Sequence, residues 1–127
     1  QYHIIDPAER RVSAEEMKNL MLDADICISA GGQTTYELAR IGVPTIGICP
    51  GENQRLNLEK WHAMGFIEYV GWLHDQNLKD NLLASIQKFL PFEERLKRSK
   101  IGMGYIDGKG AHRTALLLKE HMEVAKL

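Results

Sequence analysis

The stretch DICISAGGQTTYELARIGVPTIGIC, residues 25–49, decides the fold. Asp25 to Ser29 is a short apolar run, Ala30-Gly31-Gly32 reads as a turn, and Gln33 to Ile41 carries helical spacing. Gly42 stops that helix, because glycine readily takes the left-handed conformation in which many helices end. Pro44 to Cys49 is then a second strand, with its proline at the first position, where no ladder donor is needed. A strand, a helix and a strand in this order make a crossover unit whose two strands run parallel.

The same unit recurs outward. Toward the C-terminus come a loop (Pro50, Gly51, Glu52), a helix from about Asn53 to Met64 closed by Gly65, and a strand from Phe66 to Val70. A helix from about Asp75 to Leu90 follows, with Leu78, Leu82, Ile86 and Leu90 on one stripe. Toward the N-terminus, Tyr2 to Ile5 reads as a strand ended by Asp6-Pro7, and Ser13-Ala14-Glu15-Glu16 is a capping box opening a helix to about Leu22. After Pro91 the pattern changes. Phe92 to Lys100 is expected to be helical with Phe92 and Leu96 facing the body, Gly102 to Gly110 to break it, and Ala111 to Leu127 to form a last helix with Ala115, Leu118, Met122 and Ala125 on its apolar face. The expectation is an α/β domain over residues 1–127, a parallel sheet with helices on both faces, in which residues 91–127 form a helical tail.

Composition bounds the function. A chain of 127 residues, 44% hydrophobic and 26% charged, is near the common domain size and can bury a core without disulfide staples. With 16 basic against 17 acidic residues and a net charge of -1, no field of one sign covers it, which argues against a nucleic-acid partner. Any anion must be held locally. Cys27 and Cys49 lie in apolar runs and read as buried thiols of a reducing, cytoplasmic setting. No apolar run approaches a membrane span, and no basic-then-apolar leader opens the chain. The chain starts at Gln1 and turns apolar at once, so it reads as a piece of a longer one.

In an open parallel sheet, ligands bind where strands lead into helices. The first such loop runs from Ser29 to Glu37. Its glycines permit close backbone approach, and the N–H groups of Gly32, Gln33, Thr34 and Thr35 at the helix start suit an anion such as phosphate. Tight strand-to-helix turns also use glycine without any ligand. Glu37 has two readings: with Thr34 it forms a capping box by spacing, or its carboxylate accepts from the hydroxyls of a ribose. The second loop leads into a helix carrying Gln54 and Asn57 three apart on one face, side-chain amides suited to sugar hydroxyls or to a solvated surface. The five histidines have no partners at metal-ligand spacing, and no metal or cofactor is expected. Trp61 and Trp72 read as core or interface aromatics, and Lys109 as solvent-facing.

The run ADICISAGGQTTYELARIGVPTIGICPGENQRLN (residues 24–57), followed by HAMGF (residues 62–66), resembles the C-terminal, donor-nucleotide-binding domain of the twin-Rossmann GT-B glycosyltransferase superfamily. Within it the chain is similar to the UDP-sugar hydrolases of the pseudaminic acid pathway and the spore-coat polysaccharide biosynthesis proteins. It is more distantly similar to the N-acetylglucosaminyltransferase of peptidoglycan precursor synthesis. Asp107-Gly108-Lys109-Gly110-Ala111 with Arg113 looks like the hydrolase-type ending.

The resemblance implies a Rossmann-like sheet and a UDP-sugar ligand. By similarity Gly31, Gly32, Gln33 and Thr34 would hold the diphosphate, Glu37 the ribose, and Gln54 and Asn57 would face the sugar. Leu58 stands where the family has a small residue. The resemblance places the catalytic histidine in an N-terminal domain that would precede Gln1, so no catalytic residue is assigned within this chain. His112, in the glycine-rich ending, is the histidine to watch. The implied reaction is hydrolysis at the anomeric carbon with release of UDP. Two alternatives stand: transfer of the sugar to an acceptor, and a non-catalytic α/β regulatory module. The strand ends offer Ser29 and Cys49 where a phosphorylated receiver would need clustered aspartates.

Overall fold

A computed structural model describes residues 3–126. Three parallel strands, β1 (Cys27–Ser29), β2 (Thr45–Cys49) and β3 (Ile67–Trp72), lie in that order. Cys27 pairs with Thr45 and Thr45 with Ile67, and the second ladder shifts register between Gly47 and Cys49. The crossovers are α2 (Thr34–Ile41) and α3 (Glu52–Ala63). Before the sheet comes α1 (Ala14–Asp23); after it come α4 (Leu78–Phe89), α5 (Phe92–Tyr105) and α6 (Gly110–Ala125).

Side chains alternate along a strand, so β2 serves two cores. On one face Cys49 joins Leu38, Ala39, Val43, Leu58, Trp61, Phe66 and Ile67. On the other Ile46 meets Val70 and Phe89, with Leu78, Leu82 and Ile86 of α4 against them. The sheet is thus covered on both faces, the Rossmann-like arrangement expected. Gly42 closes α2 at φ 83°, its N–H donating to the carbonyls of Leu38 and Ala39. The Ser13 capping box forms as expected, with Glu16 accepting from the Ser13 N–H at 3.0 Å and Ser13 Oγ accepting from the Glu16 N–H at 3.1 Å. Those contacts, the backbone bond first and Arg10 second, hold the Glu16 carboxyl below the usual range. Among the described residues no helix is long and apolar enough to cross a membrane.

Several expectations fail, each for a physical reason. His3 to Asp6 are irregular rather than a strand, with Ile4 and Ile5 exposed; Tyr2 lies outside the described residues. Among those residues the sheet begins at β1, so no neighbour supplies that run with a ladder. On the α4 stripe Leu90 is exposed, and Phe89 fills the core instead.

The span 91–127 is not one tail. Helix α5 packs along α2, and it buries Arg98 and Gly102 while Phe92 and Leu96 stay exposed. Arg98 is satisfied by Glu68 at 2.8 Å and Glu94 at 2.9 Å, and its guanidinium lies 4.8 Å from the centre of the Phe89 ring. The hydrogen bond from Arg98 keeps the Glu94 carboxyl below its ordinary range. Gly102 continues the helix because α5 crosses the body closely: a Cβ there would lie 2.7 Å from Phe66 Cε2 and 3.1 Å from the Ala39 Cα. Only α6 extends as a tail. Its expected apolar face, Ala115, Leu118, Met122 and Ala125, is exposed along its whole length, and Leu127 lies outside the described residues.

Two glycines of α5 should therefore respond oppositely to alanine. A Cβ at Gly104 would meet nothing within 4 Å, so Gly104→Ala should stabilise the fold by about 0.5–1 kcal/mol through helix propensity. Gly102→Ala should destabilise it by roughly 1–3 kcal/mol through overpacking against Phe66. Urea denaturation of the two variants checks both signs.

Candidate functional site

At the carboxyl end of β1 the chain turns through Ala30, Gly31 and Gly32 into α2, and β2 turns through Pro50 and Gly51 into α3. The two loops meet through Leu58, which is fully buried. A Cβ on Gly31 would lie 2.5 Å from Leu58 Cγ, and one on Gly47 of β2 would lie 2.6 Å from Leu58 Cδ2. Leu58 thus occupies the room that two glycines leave, and α3 lies against the first loop despite the large side chain.

That proximity brings together residues 23 and 26 positions apart. Gln54 Oε1 accepts the Gly31 N–H at 2.7 Å, and Asn57 Nδ2 donates to the Gly31 carbonyl at 2.7 Å. Asn57 Nδ2 also donates to Thr35 Oγ1 at 3.1 Å, while Asn57 Oδ1 accepts from the Tyr36 hydroxyl at 3.1 Å. Both amide hydrogens of Asn57 are committed to the loop, so toward a sugar it offers only an acceptor. Gln54 keeps its Nε2 beside Gly32. Gly51 stands at the N-cap of α3, with no side-chain cap.

The expected anion donors divide. Gly31 is buried and its N–H is taken by Gln54. Thr35 N–H donates to the Gly32 carbonyl at 3.2 Å. Among the described residues the N–H groups of Gly32, Gln33 and Thr34 have no protein acceptor, as befits the start of a helix. These three main-chain donors lie at the positive end of α2. The Thr34/Glu37 capping box does not form. Gln33 already has helical angles (φ -61°, ψ -29°), so Thr34 is inside the helix and cannot cap it. Glu37 is exposed one turn in, and its carboxylate has no hydrogen-bond partner among the described residues.

Thr35, Tyr36 and Trp61 carry part of the geometry that residue spacing did not reveal. Thr35 is fully buried, and its hydroxyl accepts from Trp61 Nε1 at 3.2 Å and donates to the Gly32 carbonyl at 2.8 Å. Trp61 is a core aromatic, as expected, with Tyr36, Phe66 and Tyr105 edge-on at 5.7, 5.2 and 6.3 Å. Beside it a groove of about 390 Å³ is lined by Tyr36, Asn57, Lys60, Trp61 and Tyr105 among others.

Other singled-out residues lie elsewhere. The Asp107 to Arg113 segment sits at the far end of α2, where Gly108 lies against the Arg40 side chain. There Arg113 and the Lys109 N–H hold the Asp107 carboxyl well below the usual range, and His112 is exposed. Cys27 and Cys49 are free thiols, and burial pushes Cys27 up to about 11. Arg55 is tied to Glu52 at 2.9 Å and Glu59 at 2.7 Å, so the cation nearest Gln54 in sequence is already paired.

Comparison with known proteins agrees with this architecture. Residues 13–109 match the family described as Glycosyltransferase family 28 C-terminal domain. The chain is 28% identical over 124 residues to the spore coat polysaccharide biosynthesis protein SpsG of Bacillus subtilis (strain 168), covering 97% of this chain and 34% of that protein. It is also 28% identical over 103 residues to the histidine–tRNA ligase of Ruegeria sp. (strain TM1040), covering 81% of this chain and 19% of the ligase. The chain therefore spans about a third of the length of the first relative and about a fifth of the second. No solved structure matches it.

The interlock makes the two loop glycines unequal. Gly31→Ala should destabilise the domain by roughly 1–3 kcal/mol, because its Cβ would collide with Leu58. Gly32→Ala, whose Cβ has only Gln54 Nε2 at 3.8 Å nearby, should stay within about 1 kcal/mol of wild type. Thermal melts of both variants separate the packing role from any binding role.

Proposed function

The chain belongs to the glycosyltransferase family 28 C-terminal domain family, and on that premise we propose that it is the UDP-sugar-binding half of a two-domain nucleotide-sugar enzyme. The observation that carries the reading is the row of three main-chain N–H groups at Gly32, Gln33 and Thr34, unpaired among the described residues, with the exposed carboxylate of Glu37 one turn further on. The loop from Gly31 to Thr34 holds the diphosphate, with Gly31 as the buried pivot. Glu37 accepts from the ribose hydroxyls. Gln54, through its Nε2, and Asn57, through its Oδ1, face the donor sugar.

The preferred reaction is hydrolysis. Water adds to the anomeric carbon, the C1–O bond breaks, and UDP leaves with the bonding pair. This domain stabilises the charge developing on the leaving diphosphate with donors already in place, which is commonly the largest electrostatic contribution to such a step. An N-terminal domain of the same parent chain supplies the group that activates the water. The name of SpsG supports a role in cell-surface polysaccharide synthesis. Transfer to an acceptor is the second reading, favoured by the description of the matched family. A full-length parent given UDP-sugar without acceptor turns over if it hydrolyses and stays idle if it transfers.

Calorimetric titration of the chain with UDP and ADP tests the donor reading, with UDP expected to bind in preference. Glu37→Gln should weaken UDP by roughly 1–3 kcal/mol, the range for losing a charged hydrogen bond. A folded Glu37→Gln variant with unchanged affinity would remove Glu37 from the ribose.

A further inference from the structure

We infer that Thr35 and Asn57 are positioning residues for the diphosphate: a buried hydrogen-bond relay ending at Trp61 fixes two peptide planes of the glycine turn and so aims the N–H groups of Gly32 and Gln33. The inference rests on the donor-domain reading of that turn.

A trans peptide is planar, and its C=O and N–H point in opposite directions. The chain has no cis peptide bonds among the described residues. The peptide joining Gly31 to Gly32 has its carbonyl held at 2.7 Å by Asn57 Nδ2, so its N–H, that of Gly32, turns away from α3. The next peptide has its carbonyl held at 2.8 Å by Thr35 Oγ1, so the Gln33 N–H is directed in the same way. A glycine pair without these restraints would sample many orientations, and ordering it would oppose binding.

The relay leaves Thr35 no choice of direction. A hydroxyl has one proton and two acceptor positions. Asn57 Nδ2 at 3.1 Å and Trp61 Nε1 at 3.2 Å fill the two acceptor positions, and the proton is left for the Gly32 carbonyl. Thr35 is 0% exposed and Trp61 2% exposed, so water does not compete for either group. The Gly32 carbonyl accepts from Thr35 twice, from its N–H at 3.2 Å and from its hydroxyl at 2.8 Å; of the side-chain atoms only the hydroxyl bears on that peptide plane, and the methyl packs.

That division gives a test in which the two roles predict opposite orders. Thr35→Val keeps the volume and removes the hydroxyl; Thr35→Ser keeps the hydroxyl and loses the methyl. Calorimetric titration of the 127-residue chain with UDP should show Thr35→Val weakened by at least about tenfold, with Thr35→Ser within about threefold of wild type. In ¹⁵N-labelled protein, UDP should shift the Gly32 and Gln33 amide resonances in wild type and Thr35→Ser, and far less in Thr35→Val. A role in packing alone predicts the reverse order, with serine worse than valine, and that result overturns the inference. If Thr35→Val does not fold, Asn57→Ala, which removes only the half-buried amide, carries the test: UDP affinity within about threefold of wild type overturns the inference. Failure of the wild-type chain to bind UDP overturns the donor reading and the inference with it, whereas binding that neither variant disturbs overturns the positioning role alone.

Discussion

The fit of Leu58 into the room left by Gly31 and Gly47 sets the spacing on which the site depends. Interiors are close-packed, so a side chain that size can lie between a loop and a strand only where other atoms are missing. With Leu58 seated, α3 lies near enough for Gln54 to reach the Gly31 N–H and for Asn57 to reach its carbonyl, both at 2.7 Å. The loop is then held by an apolar contact from beneath and two amides from the side. Removing the small residues would move α3 outward and break the polar contacts with the apolar one. The glycines of this domain are therefore as much about the neighbouring helix as about the turn itself.

Much of the architecture was legible because local and tertiary preferences agree. The run from Asp25 to Cys49 folds as a strand, a helix and a strand as read, and Ser13 with Glu16 forms its capping box through contacts three residues apart. The failures occur where a distant contact decides. Thr34 and Glu37 have the spacing of a capping box, yet the backbone becomes helical at Gln33 and moves Thr34 out of the capping position. Gly102 and Gly104 look like a helix breaker, but α5 runs through both because Gly102 is where it crosses Phe66 and Ala39. Phe92 and Leu96 lose the inward face to Arg98, a charge that spacing rules place outside and that Glu68 and Glu94 make burial possible for.

The candidate site shows the same division. That the glycine turn lies beside Gln54 and Asn57 was legible, since the turn and the first two turns of α3 follow neighbouring strands at one end of the sheet. Their hydrogen-bond partners were not, because the Gly31–Asn57 and Thr35–Trp61 contacts join residues 26 positions apart. A buried threonine at the start of a helix, opposite a buried tryptophan, was the available signal. The near-neutral composition does not bear on the donors of the turn, because main-chain amide dipoles add nothing to the count of 16 basic and 17 acidic residues.

Because the donors at Gly32, Gln33 and Thr34, unpaired among the described residues, belong to the main chain, they cannot be deleted by exchanging a side chain. Only proline at one of those positions, or a change that lets the turn collapse, would erase them. Replacements at Gln33 and Thr34, whose side chains are exposed, leave the donors in place. A mutational map of this turn would therefore show tolerance at its exposed letters, Gln33 and Thr34, and intolerance at Gly31, Thr35 and Leu58 behind them.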